Sequence, residues 1–148
     1  MASNLRQKFI HHIDKANEVF AWQVLDSLTT EEATEAADII VRSVKGFAPV
    51  KPKLLVDNRF MIRNGRAIVF SPEVNDIWED AQRTVFPLVS KVAVLCSGAI
   101  MKMQMDRISR NSEIAQVSQS FWNDDDSVML REAFEFLGIA ANDIVKPR

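Results

Sequence analysis

Apolar positions recur along this chain with two periods, and the switches between them predict the elements. Residues 7–13 and 19–25 read as two strands, and the polar stretch 14–18 joins them as a hairpin. In the second strand Phe20, Trp22 and Val24 share one face. Thr29 with Glu32 three positions later forms a capping box. A helix should run from there to about Lys45, with Ala33, Ala37, Ile40 and Val44 turned inward. Gly and Pro mark 46–52 as a loop, and 53–56 is a short strand ending in Asp57. Ser71-Pro72 opens a second helix, serine as cap and proline at the first position. Its apolar stripe is Val74, Ile77, Trp78, Ala81, Val85 and Leu88, and Pro87 should bend or end it.

The run Val92 to Cys96 is apolar without a break, which fits a strand buried on both faces. Ser97-Gly98 opens a third helix to about Asn111. Residues 115–122 alternate with one polar face, as a strand near a sheet edge does. Residues 124–127 begin a fourth helix, with Leu130, Ala133, Phe134 and Leu137 inward and Gly138 as its stop. Residues 139–148 read as a tail. The order is β-β-α-β-α-β-α-β-α, an α/β fold with a small mixed sheet: an N-terminal antiparallel hairpin, then parallel strands joined by right-handed helical crossovers. No linker divides the chain, so one domain is expected, with its core at about 7–138. Residues 60–70 leave two readings open. Asn64-Gly65 between apolar stretches signals a small extra hairpin, and an ordered loop extending the third strand fits as well.

Composition narrows the chemistry. A net charge of -2 argues against a general nucleic-acid binder, which carries a basic excess. The four glycines, at 46, 65, 98 and 138, stand too far apart for a Walker A loop or a GxGxxG turn. The lone cysteine, Cys96, excludes an internal disulfide and a CxxC pair. The only histidines, His11 and His12, are adjacent in a strand and point to opposite faces, a poor metal chelate. No metal and no cofactor are expected. The polar first residues lack a signal-peptide core, and no apolar run is long enough for a membrane span. A single cysteine fits a reducing compartment, with cytoplasm the default expectation.

Several stretches together resemble the STAS-like domains, small bacterial proteins related in fold to the sporulation anti-sigma-factor antagonist. The carrying residues are Asp57-Asn58-Arg59 at a strand end, Ser71-Pro72-Glu73 with Trp78, the helix segment from Met103 to Ile108, and the closing segment from Phe121 to Leu137. Their order and spacing cover the chain from Phe9 to Gly138. Two departures are the longer spacing between Asp57 and Ser71, and Phe136 where the family often has tryptophan. The D-S-S-G-type loop that carries the antagonists' phosphorylated serine has no counterpart; Ser71 stands in a broadly comparable place but is followed by Pro72. The resemblance implies the fold, a non-catalytic character and work as a protein-docking module. CRAL-TRIO lipid-transfer domains share the arrangement and hold an apolar ligand.

Candidate site residues follow from the rim where parallel strands end and helices begin, the usual ligand position in open α/β sheets. Asp57, Asn58 and Arg59 follow one strand, Ser97 the next, and Ser71 begins a helix. Singly, each reads first as a cap or a loop-satisfying residue; as a cluster they are the expected binding site. Met101 and Met105 share a helix face that could line a plastic apolar pocket or simply fill the core. Trp78 and Trp122 read as core. Cys96 reads as a buried thiol, and Asp124, Asp125 and Asp126 as dipole partners of a helix N-terminus. The expected function is regulatory or adaptor work through another protein, without catalysis. The alternative is carriage or sensing of a small apolar or acyl ligand. Ser71 is a candidate phosphosite, and the edge strand 115–122 could pair across a homodimer.

Overall fold

The computed structural model describes residues 5–111 and 117–147. Its elements are α1 (Leu5–Lys8), β1 (Phe9–Asp14), β2 (Val19–Val24), α2 (Thr30–Lys45), β3 (Lys53–Asp57), β4 (Ile62–Arg63), β5 (Arg66–Ala67), α3 (Pro72–Val85), β6 (Lys91–Leu95), α4 (Ala99–Asn111), β7 (Ser118–Phe121) and α5 (Asp126–Leu137). Five strands form one sheet in the order β1-β2-β3-β6-β7. The β1–β2 pair is antiparallel, with Phe9 opposite Val24, and every later pairing is parallel. The expected α/β class and mixed sheet are therefore what the chain forms, with β7 at an edge. Positions 115 and 116 of the expected edge strand lie outside the described residues.

The sheet grows in one direction from β2 to β7, so crossovers of one hand must place their helices on one face. That is the arrangement found. Phe20, Trp22, Val24, Leu54, Val56 and Val94 pack under α2, α3 and α4. The alternate residues Val19, Ala21, Leu55, Ala93, Leu95 and Phe121 face α5. Both faces of β2, β3 and β6 are thus covered, which explains their near-continuous apolar runs.

Local signals set the helix ends. Thr29 and Glu32 form the reciprocal capping box. Ser71 Oγ accepts from the Val74 N–H at 3.2 Å, and Pro87 lies in a 3-10 turn that ends α3. Asp125 caps α5, and Gly138 ends it at φ 73°, a conformation that favours glycine. Some inward positions differ from expectation, among them Ile77 and Leu88, which are half-buried. Ala36 is fully buried where Ala37 was expected and Ala37 is half-buried, because spacings of three and four both stay on one helix face. Met129 is buried while Phe134 is only half-buried.

Residues 62–67 resolve into a regular hairpin, Ile62 opposite Ala67 and Arg63 opposite Arg66. Asn64 and Gly65 both have positive φ, 54° and 75°, as a two-residue type I′ turn requires. Arg63 pairs with Asp26 and so ties the hairpin to the segment after β2.

The expected tail is a correction. Residues 139–147 contain no helix or strand, yet Ile139 and Val145 belong to the second core. Asn142 Oδ1 accepts the N–H groups of Ile144 and Val145, both at 3.1 Å, and Gln23 Nε2 donates to the Ile144 carbonyl at 3.0 Å. The cause is coverage. Among the described residues three helices cover the first face and α5 alone reaches the second, and the aperiodic C-terminal segment completes it. At the other end Leu5 is also buried. Ending the chain at Gly138 removes two buried apolar side chains, each worth about 1.5–3 kcal/mol. Urea unfolding of that truncated chain should show a loss of about 3 kcal/mol or more, and an unchanged midpoint would place 139–148 outside the core.

Candidate functional site

The expected rim cluster starts at Asp57, two residues after Leu55 and on the same sheet face, turned toward α5. The chain then folds back so that Arg59 returns over the strand end. Its guanidinium has no solvent exposure. Nε and Nη2 donate to the two Asp57 carboxylate oxygens, each at 2.8 Å, and Nη1 donates to Asp126 at 2.6 Å. The Arg59 backbone N–H at 3.0 Å and Gln23 Nε2 at 2.9 Å also donate to Asp57. Those four hydrogen bonds fill the acceptor positions of a carboxylate. Arg59 lies 5.2 Å from the Phe60 ring centre. Burial acts most strongly on Arg59 and lowers its pKa, but the hydrogen bond and charge of Asp57, then Asp126, outweigh it and the pKa is raised.

This geometry follows the reading in which Asp57 and Arg59, taken singly, satisfy groups of the protein itself. They are spent on each other and on the N-terminus of α5. Asp126, read from sequence as a dipole partner, is the third member of the cluster. Spacing alone does not reveal that pairing, because 67 positions separate it from Arg59.

The remaining predicted residues divide. Asn58 points to the opposite face: its N–H donates to the Leu95 carbonyl at 2.9 Å and its Nδ2 lies 3.7 Å from Met105 Sδ. Met101 is fully buried in the same core as Met105. Ser97 is half-buried and its Oγ has no partner among the described residues. Ser71 is exposed and caps α3; no hydrogen bond among the described residues joins it to Asp57, Asn58 or Arg59.

A small cavity of about 50 Å³ lies between the sheet and α3, lined by Trp22, Asn58, Phe70, Trp78, Val94 and Met105 among others. Met105 therefore reaches a void, while Met101 and Arg59 do not line it, so the expected pocket is displaced from the rim to the underside of α3. Asn58 Oδ1 and Trp78 Nε1 are buried without hydrogen-bond partners among the described residues. Cys96 is fully buried, and burial, helped by Asp106, pushes its thiol up to about 12. It keeps its proton at neutral pH and supplies no thiolate. His12 faces Asp143 at 3.1 Å, whereas His11 packs between Phe9 and Phe20.

Outside the core, one surface stands out. Ile100 is 67% and Met103 71% exposed on the outer side of α4, and Val69, which precedes α3, is 51% exposed. These three line a shallow groove with Gln104, Asp106, Arg107 and Arg110. The sequence held the signal in the 3-4-3 spacing of Ile100, Met103, Arg107 and Arg110, a stripe separate from the buried Met101, Met105 and Ile108.

Among the described residues no helix is long and apolar enough to cross a membrane. Comparison with protein-family models, with curated proteins and with solved structures finds no match.

Arg59→Met would leave Asp57 buried without its counter-charge, a change that costs about 3–5 kcal/mol where such pairs are broken. Urea unfolding should report that loss, and a double-mutant cycle with Asp57→Asn should give a coupling above about 1 kcal/mol. A loss within about 0.5 kcal/mol, the range of ordinary surface substitutions, would contradict the buried pairing.

Proposed function

We propose that this chain is a STAS-like, non-catalytic docking module that acts by binding another protein. The observation that carries this reading is the exposed apolar groove of Val69, Ile100 and Met103. Large apolar side chains this open gain about 1.5–3 kcal/mol each when fully covered. Association itself costs roughly 4–15 kcal/mol, so the groove favours a transient partner over a permanent one. Methionine suits such a surface because its side chain adapts to different contours. The resemblance to STAS-like domains supports the same role, and the self-paired rim points the outward chemistry away from Asp57 and Arg59.

A photo-crosslinking residue at Met103 should trap a discrete protein in cells. The same residue at Glu35, exposed on α2, should not. Absence of any discrete adduct at Met103, or an identical one at Glu35, contradicts the reading.

One observation favours a second reading, carriage or sensing of a small, largely apolar ligand. The cavity beneath α3 has two lining residues, Asn58 and Trp78, whose buried polar atoms have no partner among the described residues. Those atoms suit a ligand that brings one donor and one acceptor. Native mass spectrometry of protein purified from its source cells should then give a discrete added mass. The bare chain mass in every gentle preparation contradicts this second reading.

A further inference from the structure

We propose that the α4 groove takes an acidic amphipathic helix of a partner protein, with its apolar residues on Val69, Ile100 and Met103 and its carboxylates on Arg107 and Arg110. The inference rests on the docking reading and names the chemistry of the partner. Along α4 the exposed stripe is apolar in its first half and basic in its second. From 100 to 110 it rises about 15 Å, the length of about three helical turns. A single helix of similar length matches it, laid against the groove as amphipathic helices are in other recognition surfaces.

Charge decides the partner's polar face. Asp106 is held by Lys102 at 3.1 Å. Arg107 and Arg110 are exposed and form no ion pair among the described residues. Among the described residues the groove therefore presents two arginines that no ion pair meets, on a chain whose net charge is -2. A local field of one sign draws a complementary segment and rejects a basic one. Arg110 also sits in the last turn of α4, where the helix dipole favours a cation. Arg107 lies a turn earlier, beyond most of that benefit, so its exposure is the more telling. An antiparallel approach places the partner's carboxylates in its own first turn, where its dipole favours them. Two arginines are fewer than the roughly four to eight basic residues that mark anionic-lipid recognition, so a protein segment is favoured over a membrane surface.

The test uses the full chain, isotope-labelled, and two synthetic helical peptides of about twelve residues. They share the same leucines and differ only in two glutamates against two lysines in the first turn, ahead of the leucines. In NMR titrations the acidic peptide should move the amides of Ile100, Met103, Arg107 and Arg110 saturably. The lysine peptide should bind at least about tenfold more weakly, the equivalent of about 1.4 kcal/mol. Arg107→Glu with Arg110→Glu should reverse that order, and Arg107→Gln alone should weaken the acidic peptide. Both side chains are exposed, so the fold should persist, and unchanged spectra away from α4 verify it. Equal binding of the two peptides, no binding of either, indifference to charge reversal, or capture by phosphatidylserine vesicles in place of the acidic peptide overturns the proposal. If it fails while the Met103 crosslink keeps its adduct, docking stands and the acidic partner falls; if the crosslink is absent, docking itself falls.

Discussion

A guanidinium sealed from water must have its charge met inside the fold, and Arg59 sets that requirement for the whole carboxyl end of the sheet. Asp57 meets it from the strand that Arg59 follows, and Asp126 meets it from the first turn of α5. The cluster is left with one carboxylate in excess, which the positive end of α5 helps to balance. Gln23 extends the network from Asp57 to the Ile144 carbonyl. One buried charge therefore fixes the position of β3, the approach of α5 and the course of the C-terminal segment. Buried ion pairs are weak contributors to net stability, but they penalise arrangements that leave either partner alone. The cluster is best understood as a specification of how the second face closes.

That closure redirects the functional reading. Open α/β sheets usually take ligands beyond the carboxyl ends of their strands. Here the charged groups at that position, Asp57 and Arg59, are engaged by the protein itself. Outward chemistry lies instead beside it, on the outer stripe of α4 with Val69. The same logic separates the two faces of the sheet. The α5 face is stitched by charge and by the docked C-terminal segment, whereas the α3 face is apolar and holds a small void whose lining carries polar atoms without partners among the described residues. The exposed groove and the internal cavity share no lining residues; Met105 and Met103, two apart on one helix, line opposite sides.

Much of the fold was legible from local signals because those signals are themselves the physics. Thr29 with Glu32, Ser71-Pro72, Pro87 and Gly138 act within a few residues of where they stand, and all four mark observed ends. The unbroken run from Val92 to Leu95 announced burial on two faces. Asn64-Gly65 allowed a hairpin or a loop, and positive φ at both residues gives the hairpin. The site was less legible because its contacts are long-range. Asp57-Asn58-Arg59 was noticed as a motif, but whether it opens to solvent depends on Asp126, which only the tertiary path brings to it. Residues 139–145 carry no period, so nothing local separates a docked segment from a loose one. The α4 groove was present as spacing, but one helix carries two apolar stripes, and spacing alone does not say which of them the core takes.

Native-state hydrogen exchange across a urea series examines the central claim most directly. If Arg59 locks the rim, its backbone amide, bonded to Asp57, should open with the same free energy as the Leu55 and Val94 amides of the central strands. The Val145 amide, held by Asn142, should open with them as one cooperative unit. Exchange of Arg59 and Val145 at urea concentrations where the central strands remain closed would contradict the account, because the rim would then be a loose flap instead of the constraint that orders the second face.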